Sequence, residues 1–328
     1  MKQKILICGA TGFLGRNILE SFVQNDNFDV KAVWHTPTDL VDVYWDGVEW
    51  IQADLTKLQD VKGVFYGGID IVLQYAAVTS GVKDIVSKPH IHVTDNVVMN
   101  SLLMREAFEQ GVDHFVFPSC TLMYQSSDVP VKESDFNESD EIFSKYYGAG
   151  NTKVYLEKMC KFYSTFKKTK FTVLRQSNIY GPYDKFNLET GHVFAATIVK
   201  TAQANGSINV WGTGEEERDL LYVSDLVDCI KLSLKNQKSF FELVNVGYGQ
   251  SISVSNLVKK VVDIYGKELY INYDETKPTV KTKLAVDINK VRKLFGWNPN
   301  ITLDSGIKKT IDWYNSKKSN EVDVETLG

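Results

Sequence analysis

Three glycines near the N-terminus are spaced for phosphate chemistry. In ICGATGFLGRNI, Gly9, Gly12 and Gly15 close an apolar run and open an amphipathic stretch. Gly9 permits a tight turn, Gly12 lets the backbone approach a pyrophosphate, and Gly15 lets a helix pack closely on a strand. The helix N-terminus would present unpaired N–H groups to the anion. This spacing predicts a dinucleotide site. The second strand should then end in a ribose reader, an acid for NAD or an Arg for NADP. It ends in Trp34, His35 and Thr36, so NAD and NADP both stay open. Arg16 could reach a phosphate or stand solvated, and Asp54 in QADLT could contact an adenine or cap a helix.

Those residues need a frame, and the chain supplies an alternating one. Apolar runs at 4–10, 29–35, 48–54, 70–77, 114–120 and 171–177 read as strands. Helical stretches at 14–25, around 91–111 and around Lys153 lie between them. Alternation of this kind implies parallel pairing in an α/β doubly wound, Rossmann-like sheet. The runs are apolar almost throughout, as expected of strands covered on both faces. Beyond NIYGPYDKF the pattern turns irregular, with turn signals at 205–207 and 211–214. The expected division is a dinucleotide-binding domain over 1–182 and 217–245, a smaller discontinuous substrate lobe over 183–216 and 246–318, and a polar, frayed tail at 319–328.

Composition narrows the partners. The chain has 328 residues, 43% hydrophobic and 24% charged, with formal net charge -4. That balance argues against nucleic acid or an acidic membrane surface. No apolar run approaches the roughly 20 residues of a membrane span. The basic start MKQK leads to a short apolar run that enters the glycine loop, so it reads as a buried strand rather than a leader. Cys8, Cys120, Cys160 and Cys229 lie far apart without metal spacing, which fits a reduced cytoplasmic compartment and no metal site.

Several motifs together resemble the extended short-chain dehydrogenase/reductases, the NAD-dependent epimerase/dehydratase family, that act on nucleotide sugars. They are GATGFLG, YAA (75–77), Asn96, GVDHFVFPSC (111–120), LRQSNIYGPYDKF (174–186), VWGTGEEERDLLYVSDL (210–226) and FGWNP (295–299). Within that family, YGPYDKFNLETGHV followed by VWGTG is similar to the GDP-L-fucose synthase branch. The resemblance implies a Rossmann domain with a small C-terminal lobe, and a homodimer through a four-helix bundle of the 91–111 and 150–167 helices. It implies cofactor contacts from Thr11, Phe13, Leu14, His35, Asp54, Leu55, Ala76, Ala77, Asn96 and Lys153, besides the glycines. It implies that Arg218 holds the substrate diphosphate, for which a planar guanidinium fork is suited. Asn178, Lys185, Asn187, Val193 and Lys283 are further substrate candidates.

The family's chemistry uses a Tyr to move the hydroxyl proton and a Lys to lower its pKa and hold the nicotinamide ribose. Lys153 in KYYGAGNTKVYLEKMCKFY fits the Lys. Four positions before it, about 6 Å along a helix, stands Ala149, which has no proton to give. Tyr147 and Tyr146 lie six and seven back, and a continuous helix would put neither beside Lys153. Gly148 and Gly150 disfavour helix, and Asn151 or Thr152 could cap one. The expectation is therefore a loop before Lys153 that carries Tyr147 into the site, the rival being a lost Tyr replaced by another group or water. At the fifth strand, Cys120 falls where the family has its Ser or Thr. Thr121 or Ser119 is expected to supply that hydroxyl, with Cys120 lining the site. His192 matches the branch's second acid/base, but Leu122 falls where that branch has its epimerising Cys. Thr121 and Leu122 also replace the Asp–Glu pair that elimination needs, which argues against a dehydratase.

The sequence thus reads as an NAD(P)-dependent oxidoreductase of a nucleotide-linked sugar, with GDP the expected carrier and redox at C4, either oxidation or reduction of a 4-keto sugar, in polysaccharide-precursor synthesis. An epimerase at C4 or C3/C5 that retains its cofactor, and a non-catalytic nucleotide-binding sensor or scaffold, are the alternatives.

Overall fold

The first strand, β1 (Gln3–Cys8), shows why the sheet is central. Ile5, Leu6, Ile7 and Cys8 are all fully buried, so both faces of this strand are covered. In the computed structural model, which describes residues 2–36, 45–79, 88–188, 191–276 and 283–325, β1 pairs with β2 (Phe28–Trp34) on one side and β4 (Ile71–Gln74) on the other. With β3 (Val48–Gln52), β5 (His114–Ser119), β6 (Lys170–Gln176) and β10 (Phe241–Val246) they form a seven-stranded sheet ordered β3-β2-β1-β4-β5-β6-β10. Every pairing in it is parallel. The six runs read from the sequence supply six of its strands, within one to three residues at each end.

Alternation along β1 feeds two helical layers. Ile5 and Ile7 pack with Ile18 and Phe22 of α1 (Phe13–Val23) and with Leu226 and Ile230 of α6 (Val223–Asn236). Leu6 and Cys8 face Val61 of α2 (Leu58–Val64), Leu103 of α3 (Thr94–Gln110) and Leu156 of α4 (Tyr147–Ser164). Each fully buried Leu or Phe side chain is worth roughly 1.5–3 kcal/mol of transfer free energy. The sheet core is therefore the main source of stability. Strand order reverses direction between β1 and β4, and in open parallel sheets ligands bind beyond the strand C-termini at such a point. The glycine loop after β1 lies there.

The remaining elements form two smaller sheets and the helices packed with them. A three-stranded sheet joins β7 (Asn178–Tyr180), β9 (Glu217–Tyr222) and β11 (Ser251–Ser253), so β9 stands outside the seven-stranded sheet. A two-stranded sheet pairs β8 (Ser207–Trp211) with β12 (Tyr270–Asp274). Between them, α5 (Val193–Gln203), α7 (Val254–Tyr265) and α9 (Leu303–Glu325) share a core of Phe194, Ile198, Leu257, Val261, Ile307 and Ile311. A short helix, α8 (Asn289–Phe295), returns Phe295 and Trp297 to the main core. The backbone of α9 runs on through Glu325, into the segment read from sequence as a frayed tail; the last three residues of that tail lie outside the described residues.

Candidate active site

The glycine loop divides its labour as its spacing requires. Gly9 has φ +71°, and a Cβ there would stand 2.7 Å from the Ala76 backbone. Gly15 is more tightly held, since its Cβ would meet the Gly9 carbonyl oxygen at 2.0 Å. Gly12 is open: its Cβ would meet only that oxygen, at 3.4 Å. The first turn of α1 holds no acid, and no side chain caps it, so its N–H groups remain available to an anion. These residues fit a dinucleotide pyrophosphate. Gly15→Ala is therefore expected to lower the melting temperature. Gly12→Ala should leave it unchanged while weakening dinucleotide binding at least about tenfold. Thermal unfolding beside a cofactor titration separates the two.

The other cofactor candidates lie around this loop. Arg16 stacks on the Tyr183 ring, 4.0 Å from its centroid, and Asn17 donates to the Pro182 carbonyl at 2.9 Å; together they tie α1 to the YGPYDKF segment. Asp54 does not cap α2, whose N-cap is Lys57. It forms a local turn, accepting from the Thr56 amide and hydroxyl, and these bonds together with Lys57 hold its pKa below the ordinary value. Leu55 is buried, and His35 is exposed at the end of β2. Asn96 clamps the segment after β4, donating to Val78 O at 3.0 Å and accepting from Val78 N at 3.0 Å. Gln74 and Asn100 extend that clamp to Ala76 and to Asn96. It fixes the path of Ala76 and Ala77 beside the glycine loop.

Lys153 projects from α4 to the C-terminal end of β5. Its ammonium donates to the Pro118 carbonyl at 2.7 Å and sits 4.8 Å from the Phe117 ring centroid. Burial lowers its pKa, and Cys120 and Glu157 oppose the shift. The Cys120 thiol is pushed up by burial and drawn down by Lys153. Ser119 does not join them. It is 1% exposed and turns inward, donating to Glu157 at 2.5 Å. Thr121 lies in the turn after β5, its carbonyl accepting from Tyr124 N, and it is half-buried at the site edge.

The expected loop before Lys153 is not there. Helix α4 begins at Tyr147 and runs without a break through Gly148 and Gly150. The two glycines serve close packing, not a turn. A Cβ on Gly148 would stand 2.9 Å from Val93, and one on Gly150 would stand 2.9 Å from Ile142. Tertiary contact thus overrides their low helix propensity. Asn151 bonds back to the Tyr147 carbonyl within the helix, and Thr152 is buried in it, so neither is a cap. Tyr147 consequently points outward and is 60% exposed.

Tyr146, in the 3-10 turn just before α4, takes the inward direction. It is half-buried, and burial raises its pKa against the opposing pull of Arg218, with Cys120 adding to the rise. Cys120 is thus the group felt by Lys153 on one side and Tyr146 on the other. Arg218, on β9, donates to the Glu217 carbonyl at 2.8 Å; burial lowers its pKa while Tyr146 and Glu216 act against that. Charge effects thus link Lys153 to Cys120, Cys120 to Tyr146 and Tyr146 to Arg218.

The other substrate candidates have partners of their own. Lys283 pairs with Asp128 and Glu217, at 3.1 and 3.3 Å, and Glu217 alternates to the opposite side of β9 from Arg218. Asn178 donates to the Asp219 carbonyl at 3.1 Å. Lys185 donates to Thr79 O at 3.0 Å, and the Asn187 carbonyl accepts from Gly191 N at 2.8 Å. His192 is the N-cap residue of α5, followed by the exposed Val193. Its ring is crowded enough that desolvation lowers its pKa, with Lys185 adding to the shift, although the residue as a whole is exposed.

One feature had no motif to announce it. Beneath Cys120 and Lys153, Arg175 of β6 grips Glu157 of α4 with two bonds, 2.9 and 2.6 Å, and both side chains are 5% exposed. Arg175 also donates to the Tyr124 hydroxyl at 2.9 Å, which donates on to Asn245 at 2.7 Å. The signal in the sequence is only spacing: Glu157 is one helical turn after Lys153 on the same face.

Comparison with known proteins agrees with this architecture. The model of the NAD dependent epimerase/dehydratase family matches residues 5–247. GDP-L-fucose synthase 1 of Arabidopsis thaliana is 29% identical over 318 residues, covering 95% of this chain and 93% of that protein. GDP-L-colitose synthase of Yersinia pseudotuberculosis is 25% identical over 324 residues, 97% and 100% of the two chains. Among solved structures, UDP-glucose 4-epimerase of Thermotoga maritima superposes with a TM-score of 0.86 at 22% identity, covering 96% of this chain and 99% of its own. This last likeness is one of fold.

Proposed function

The chain belongs to the NAD dependent epimerase/dehydratase family, and from that premise we propose that it is an NAD(P)-dependent reductase of a nucleotide-linked 4-keto sugar, GDP-linked in its natural substrate. The observation that carries this reading is Lys153 held at the end of β5 by its bond to Pro118 O, beside Cys120, with the half-buried Tyr146 in the turn before α4 coupled by charge to Cys120 and to Arg218 of β9. Arg218 grips the diphosphate, which orients the sugar toward Cys120 and Tyr146. A bound nicotinamide supplies the hydride. Lys153, anchored on Pro118 O, would hold the nicotinamide ribose. Tyr146 gives its phenolic proton to the oxygen that becomes a hydroxyl. Burial keeps that phenol protonated at neutral pH, which suits an acid in ketone reduction better than a base in alcohol oxidation. The GDP preference draws on the two GDP-sugar synthases among its relatives.

A second reading rests on Cys120. Its thiol is coupled by charge to both Lys153 and Tyr146, and an epimerase at C3 or C5 needs a group to move a ring proton. Incubation with GDP-, UDP-, CDP- and dTDP-linked sugars, followed by NAD(P)H absorbance and product NMR, tests both. Net oxidation of NAD(P)H with a 4-keto GDP-sugar is the expected result. An isomer formed with no net change would favour the epimerase. No turnover of any nucleotide sugar would overturn both readings.

The wider setting belongs to the same proposal. Val98, Tyr155, Phe162 and Phe166 are exposed on or just beyond α3 and α4, an apolar surface suited to a homodimer through those helices. No helix among the described residues is long and apolar enough to cross a membrane. A cytoplasmic enzyme supplying cell-surface polysaccharide precursors fits these features.

A further inference from the structure

Glu216 is buried and unsatisfied. It is 6% exposed, and neither carboxylate oxygen has a hydrogen-bond partner among the described residues. A buried polar group without a partner costs stability and calls for a reason. The Glu216 backbone is engaged, its carbonyl accepting from Val254 N at 2.8 Å, and its carboxylate feels the charge of Arg218, but neither oxygen receives a hydrogen bond from a described residue.

Its position points to a ligand. Side chains alternate along an extended segment, so Glu216 and Arg218 project to one side while Glu217 and Asp219 project to the other. The partners agree. Glu217 meets Lys283 and Ser251, and Asp219 accepts the amides of Tyr248, Gly249 and Val286. Glu216 accordingly acts electrostatically on Arg218. Direction along the strand matters as well. Past Arg218, β9 runs beside β7, where Leu220 pairs with Asn178 just after the end of β6. Before Glu216, the chain enters the small lobe, where Gly214 O accepts from Ser255 N at 2.9 Å and Gly214 abuts Tyr273 of β12. A substrate whose diphosphate rests on Arg218 and whose sugar reaches Cys120 must extend its nucleoside the opposite way, toward Glu216.

We propose that Glu216 is a specificity-determining residue that reads the nucleoside half of the substrate by accepting two adjacent hydrogen-bond donors. Two parts of a guanosine offer such a pair: the N1–H and 2-amino edge of guanine, and the cis-diol of ribose. A carboxylate accepts only, with two oxygens side by side, and matches either pair. This assignment rests on the nucleotide-sugar reading above.

The test is calorimetric titration of GDP, IDP, 2′-deoxy-GDP and UDP into the wild-type chain, Glu216→Ala and Glu216→Gln. Melting curves establish that the variants fold, and the isosteric Glu216→Gln serves if the Ala variant does not. Bonds to a charged acceptor predict a loss of about 10- to 100-fold in GDP affinity for Glu216→Ala, and a smaller loss for Glu216→Gln. If guanine is read, the wild type discriminates against IDP by a similar factor and the variants lose that discrimination. If the diol is read, 2′-deoxy-GDP takes the place of IDP in that pattern. An effect exerted merely through Arg218 would weaken all four diphosphates alike, and that result overturns the proposal, as does unchanged GDP affinity in both variants. Failure of the wild-type chain to bind any of the four overturns the nucleotide-sugar reading itself.

Discussion

Tyr146→Phe is expected to lower turnover of the sugar substrate about 10²- to 10⁴-fold, the usual contribution of a positioned general acid, while Tyr147→Phe turns over like the wild type. The two residues are neighbours in sequence and differ only in direction. Tyr147 opens α4 on its outer side and is 60% exposed. Tyr146 precedes the helix, is half-buried and feels the charges of Arg218 and Cys120. Substrate affinity should change little in Tyr146→Phe, because the phenyl ring stays and Arg218, the proposed diphosphate partner, is untouched. Steady-state kinetics of both variants at neutral pH decides the matter. A collapse in Tyr147→Phe with Tyr146→Phe intact would refute the assignment. The phenol also has a pH signature. Its folded pKa lies above the ordinary value, so the proton-donating form persists through neutral pH. Reductive turnover is expected to stay level there and to fall only in alkali.

The second large effect concerns the buried ion pair. Arg175→Met leaves the Glu157 carboxylate buried without its partner, and breaking such a pair is expected to cost about 3–5 kcal/mol of stability. Ser119 alone remains to donate to it. The double variant Arg175→Met with Glu157→Leu should recover at least half of that loss, because well-packed apolar replacements of buried pairs are often neutral. The hydroxyls of Ser119 and Tyr124 would each lose a partner, which limits the recovery. Urea unfolding of the single and double variants measures both. If Arg175→Met unfolds at the wild-type denaturant midpoint, the pair does not hold the β5–α4 junction. The junction matters because the same two charges act on the Cys120 thiol, so loss of the pair should disturb the site as well as the fold.

Much of the scaffold was legible from residue pattern alone. The β1–loop–α1 unit follows from apolar periodicity and three glycines, each with a distinct local reason that the packing around it matches: Gly9 for a left-handed turn, Gly12 for open approach, Gly15 for contact with the Gly9 carbonyl. The parallel sheet follows from strands that alternate with helices and are apolar on both faces. Such features are local, and local sequence encodes them.

What the sequence could not decide is direction and partnership. It placed Lys153, two tyrosines and two glycines within eight residues, and intrinsic propensity read the glycines as a loop. Only the approach of Val93 and Ile142 shows that they are there to let α4 pack closely. That contact keeps the helix continuous and turns Tyr147 outward, which leaves Tyr146 as the inward phenol. Ser119 was a plausible site hydroxyl until Glu157, 38 positions away, took it inward. Arg175 and Glu157 look like ordinary surface charges until β6 and α4 bring them together. The sequence by itself determined the family, the sheet and the strand–glycine-loop–helix unit at its N-terminus. Tertiary structure decided which of the two phenols is half-buried and which acid near Arg218 is buried, because side-chain direction is set by contacts between elements distant in the chain.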